Sequence, residues 1–72
     1  MDYSALLTTE QKKAILGERI AQFASEAYQH EINKKMAGDN QEVIDAANSS
    51  LAILDNAITI HQEELAKLGE TI

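Results

Sequence analysis

The chain has no cysteine, no proline and no tryptophan, and its three glycines fall at 17, 38 and 69. Without cysteine there is no disulfide framework, no thiolate nucleophile and no cysteine-ligated metal. Without proline, and with so few glycines, little in the sequence can break a helix. Bases are also scarce: six Lys and Arg stand against twelve Asp and Glu, a net charge of −6. A nucleic-acid binder needs a basic stripe to displace counterions from phosphates, and an anionic lipid surface makes the same demand. Neither is therefore expected as a partner. Long apolar runs are missing too, since no stretch approaches the roughly 18 residues of a membrane span. The opening Met1-Asp2-Tyr3-Ser4 lacks the basic and apolar regions of a secretion signal. Intracellular synthesis is the expectation.

The length, 72 residues, suits one small domain. A compact monomer of this mass takes an unfolded surface of about 11,500 Å² to a folded one of about 4,400 Å². If roughly 60% of the buried area is apolar, burial contributes about 105 kcal/mol, and ordering the chain costs about 108 kcal/mol. The two nearly cancel. With disulfides excluded and no zinc-site pattern, oligomerisation is the remaining common device for a chain of this size.

What is abundant is Ala, Glu, Gln, Leu and Lys, a helical composition. Residues 1–7 read as an N-terminal arm whose Tyr3, Leu6 and Leu7 form a small apolar cluster. It is expected to fold over the open end of the hairpin near Leu65 and Leu68. Thr8 with Gln11 makes a capping-box pattern, and a first helix is expected over 8–37, closed by Lys34, Lys35 and Gly38. A turn at 38–39 follows, with Asp39 as the cap of a second helix over 40–68 and Gly69 opening a tail over 69–72. Two helices of about 43 Å each with so short a link make an antiparallel hairpin. The expected fold class is all-α: a coiled-coil-like hairpin that self-associates into a bundle.

The second helix carries the clearest pattern. Ile44, Ala47, Leu51, Leu54, Ile58, His61, Leu65, Leu68 and Ile72 follow alternating three- and four-residue spacing, with one polar occupant. A second row, Val43, Ala46, Ser50, Ile53, Ala57 and Ile60, is also largely apolar. One neighbouring helix cannot cover both rows. On the first helix, Leu16, Ile20, Phe23 and Ala27 form one stripe, and Ala21, Ala24, Tyr28, Ile32 and Met36 another. If the apolar face migrates from the first stripe to the second, the hairpin pairs Ile32 with Ala47, Tyr28 with Leu51, Ala24 with Leu54 and Ile20 with Ile58. The expected seam is then Leu16, Ile20, Tyr28, Ile32, Leu51, Leu54, Ile58, His61 and Leu65. Phe23, Ala27, Ile53, Ala57 and Ile60 are left to face another copy or another protein.

Sites of chemistry are not apparent. A di-iron bundle site needs Glu three residues before each of two histidines, and the positions before His30 and His61 hold Ala27 and Ile58. There is no glycine-rich phosphate loop and no supported Ser-His-acid set. No cofactor, no metal and no catalytic residue is expected. His61 reads as a polar register-setting residue at the seam. A small-ligand pocket could form only between copies, with Tyr3, Arg19, Tyr28 and His30 as contributors.

The string from Leu7 through Lys12, with Arg19-Ile20-Ala21-Gln22-Phe23 and Glu26 through Asn33, resembles short helical proteins encoded by tailed bacteriophages of actinobacteria. The likeness covers most of the first helix and, by its heptads, the second. It implies a phage setting in the host cytoplasm, with the protein acting in virion assembly as scaffold, decoration or joint. The alternative is a small module that binds a host protein or sequesters a ligand.

Overall fold

The computed structural model describes residues 1–70 as a helical hairpin 50 Å long and about 20 Å across. A single 3₁₀ turn over Tyr3–Leu6 precedes two long helices, α1 over Thr9–Ala37 and α2 over Gln41–Glu70. The two pack along their whole length. No strand occurs among the described residues, and none of their helices is long and apolar enough to cross a membrane.

Local chemistry fixes the helix ends. The Thr8 hydroxyl accepts from the Gln11 amide at 3.1 Å, and the Gln11 side chain accepts from the Thr8 amide at 2.9 Å. Two otherwise orphaned donors are thus satisfied reciprocally. Thr8→Ala should cost about 1 kcal/mol in a thermal or urea melt, the usual worth of such a cap. At the turn, Gly38 has φ 59° and ψ −113°, the chain's one positive φ among the described residues. A side chain is strained there, although no atom crowds the position. Gly38→Ala should therefore destabilise by about 1–3 kcal/mol through backbone strain alone, read as a lowered melting temperature.

Two boundaries differ from the sequence expectation. Asn40, not Asp39, caps α2: its side-chain oxygen accepts from the Val43 amide and its carbonyl from the Ile44 amide at 3.1 Å. The turn is accordingly one residue longer. At the other end α2 runs through Gly69 to Glu70, because a glycine costs a helix only about 1 kcal/mol and stops it only when the next turn gains nothing. The remainder of the expected tail, including Ile72 of the seam row, lies outside the described residues.

The hairpin core is thin. Among the described residues only Ala47 and Leu54 are buried, at 5% and 8% exposure. The half-buried residues of α1 are Lys12, Leu16, Ile20, Phe23, Ala27, His30, Ile32, Lys34 and Ala37. From Leu16 onward all of them but Ile32 form one stripe at alternating four- and three-residue spacing, so the apolar face does not migrate along α1. The stripe runs from Ala27 on to His30 and then Lys34, whose aliphatic stem can line the seam while its ammonium reaches water.

This moves three residues from their expected places. Tyr28 is 66% exposed instead of sitting in the seam. Phe23 and Ala27, expected on an outer face, are half-buried on the stripe that meets α2. Ile32 is half-buried. The other expected seam residues, Leu16, Ile20, Leu51, Leu54, Ile58, His61 and Leu65, are all buried or half-buried.

Candidate interaction surface

A polar node of the seam joins the two helices at His61. His61 stands between Arg19 and Phe23, several residues further along α1 than the expected register, which set it level with residue 17 or 18. Arg19 donates from Nε to His61 Nε2 at 2.9 Å, and His61 Nδ1 lies 2.6 Å from the Ala57 carbonyl oxygen. Since Nε2 accepts, Nδ1 carries the proton and donates to that carbonyl. The Phe23 ring meets the imidazole edge-on at 5.0 Å, and the Arg19 guanidinium lies 5.4 Å from the Phe23 centroid. Sliding the helices by one heptad would part His61 from both Arg19 and Phe23.

Phe23→Ala should cost about 2 kcal/mol, less than the roughly 3–5 of a fully buried ring because one edge of Phe23 still meets water. A chemical-denaturation midpoint would read the loss. Neither Phe23 nor the pairing of Arg19 with His61 was foreseen in the seam. The available signal was the continuation of the Leu16 stripe to His30, which requires a histidine and a lysine to be accepted at inward positions.

Outside that seam lies an open face. Val43, Ile53 and Ile60 are exposed at 40%, 72% and 49%, and with Ala46, Ser50 and the half-buried Ala57 they form the second row of α2. Two shallow concavities mark where this face meets α1. One, of about 300 Å³, is lined by His30 and Asn33 of α1 and by Glu42, Val43, Ala46, Ala47 and Ser50 of α2. The other, of about 240 Å³, is lined by Lys12, Ile15 and Leu16, by Glu64 and Leu68, and by Ser4 and Leu7 of the arm. Glu64 is the next member of the second row after Ile60, so both hollows lie on the same flank. The arm thus reaches Leu68 as expected, yet Tyr3 and Leu6 of that arm remain largely in solvent.

A second apolar row lies on the other flank. At 100° per residue, Ala24, Tyr28 and Ala21 turn away from the stripe in the sense opposite to Asn33. Tyr28 and Met36 are among the most exposed large apolar side chains. Among the described residues no three His, Asp or Glu side chains are grouped so that they could hold a metal ion.

The total accessible surface is 5491 Å². A compact monomer of 7.9 kDa would show about 4,400 Å². The hairpin therefore leaves about 1,100 Å² more in water than a finished fold of its mass. No protein-family model, no curated protein and no solved structure matches the chain.

Proposed function

We propose that the protein is a non-enzymatic building block that self-associates through the second row of α2 and serves in the assembly of a larger particle. The observation that carries this reading is the row on α2 whose Val43, Ile53 and Ile60 stay exposed because a two-helix core cannot cover them. A row at alternating three- and four-residue spacing is the pattern with which helices pack on helices, and not that of a pocket. The row on α1 through Ala21, Ala24 and Tyr28 points to the opposite flank, so it stays free for further contacts after the α2 faces have met. Two independent faces are what a component needs if it is to pair and also join something bigger. The resemblance to phage-encoded helical proteins supports a virion-assembly setting.

A second reading has one observation in its favour. The hollow beside His30 is lined by His30, Asn33, Glu42 and Ser50 together with Val43, Ala46 and Ala47, a mixed lining that suits a host-protein contact or a small ligand. Sedimentation equilibrium of the intact chain separates the two. A discrete multiple of the single-chain mass is expected for the building block. A single-chain mass at high concentration would contradict it and leave the face to a different protein.

A further inference from the structure

The geometry points to an acid-sensitive latch between the two helices: the Arg19–His61 link holds while His61 is neutral and opens when the imidazole takes a second proton. A guanidinium can only donate. Arg19 Nε reaches His61 Nε2 at 2.9 Å, so that nitrogen has to keep its lone pair. The other ring nitrogen, Nδ1, donates to the Ala57 carbonyl at 2.6 Å. Both nitrogens are committed, one as acceptor and one as donor, and only the neutral ring with its proton on Nδ1 serves both. A proton on Nε2 removes the acceptor and sets two cations against each other across the seam. The ring is half-buried and Phe23 packs against it at 5.0 Å, which restricts where it can turn.

The charges around the ring do not offset this. On α1, Arg19 is the charged group that meets it, while Lys12 and Glu26 share that flank about 10 Å along the helix in either direction. On α2, Glu64 stands one turn further on, and Lys67 holds it at 3.2 Å. The imidazole leans the other way, back over the turn at Ala57, as its bond to that carbonyl shows. Glu18 and Glu63 point away from the seam by helical phase. The folded hairpin therefore uses the neutral ring, whereas the unfolded chain takes up a proton freely. Stability rises with pH wherever the unfolded state binds more protons. Acidification from about pH 8 to about pH 5.5, across the ordinary imidazole range and above that of most carboxylates, should loosen α1 from α2 beside Phe23.

Urea unfolding at one protein concentration, at both pH values, tests the latch in the parent chain and in His61→Gln. Glutamine has a carbonyl to accept from Arg19 and an amide to donate to Ala57, and it does not titrate. On acidification the folding equilibrium constant of the parent should fall about two- to tenfold further than that of the variant, the usual net worth of one hydrogen bond. His30 is present in both chains and cancels in the comparison. Equal falls in the two would overturn the latch. Nitrogen NMR of the parent chain needs no variant. At pH 8 His61 should carry its proton on Nδ1, and on acidification the Arg19 Nε signal should move together with the His61 ring signals. A proton on Nε2 at pH 8, or an Arg19 signal that stays in place as His61 is protonated, would equally overturn it.

Discussion

Leu54→Asp should abolish cooperative unfolding of the chain. Leu54 is one of the two buried side chains among the described residues, in the middle of α2, on the seam against α1. Truncating such a leucine costs about 2–5 kcal/mol, and an unpaired carboxylate in its place adds a desolvation cost of comparable size. A small domain has about 5–15 kcal/mol in all, and one with so thin a core belongs at the low end. Circular dichroism on heating should show a shallow, non-cooperative loss of helix at any protein concentration. A cooperative melt close to that of the parent chain would mean that the seam is not where the hairpin is held together.

Ile53→Asp, one residue away, should do something different. Ile53 is 72% exposed in the hairpin, and substitutions at such positions change the stability of the fold they sit on by about 0.5 kcal/mol or less. In an assembly of copies through the second row it is buried, and each copy brings its own carboxylate. Leaving a charge buried without a partner costs about 3–5 kcal/mol, and each 1.4 kcal/mol is a factor of ten. Association should weaken at least about a hundredfold, and the mass in solution should fall towards that of one chain. An unchanged mass would show that the second row is not an interface. Raising the concentration of Ile53→Asp should restore mass and helicity together, whereas Leu54→Asp stays non-cooperative at any concentration.

The hairpin was legible in the sequence because its punctuation is local. Thr8 with Gln11, Gly38 and the unbroken seam row of α2 each act within a turn or two of chain. Asn40 was overlooked as the cap because Asp39 offers the same chemistry one residue earlier, and which of the two caps depends on how Gly38 turns the backbone. The α1 side of the seam was misjudged for a different reason. His30 and Lys34 look polar in a list of residue types, and Tyr28, Ile32 and Met36 look like the natural continuation of an apolar face. Packing has other criteria. The stripe through Leu16, Phe23 and Ala27 stays in line with α2 only if it goes on through His30 and Lys34. The Arg19–His61 bond then rewards that choice across the helices, at a sequence separation that no local pattern can show.

On the outer face, α2 was readable and α1 was not. The large side chains of the second row of α2 have no competing use inside the hairpin, and Ile53 and Ile60 do stand in solvent. Phe23 and Ala27 were assigned outward only because Tyr28 had been assigned inward. One error of register therefore produced both misplacements.

The central claim is that the lone hairpin is an unfinished fold, completed when another copy covers the second row of α2. Light scattering across a hundredfold dilution, with helicity followed on the same samples, tests it most directly. The account predicts a discrete oligomer at the concentrated end, with mass and helicity falling together as the protein is diluted. A single-chain mass with full helicity throughout the series would contradict it.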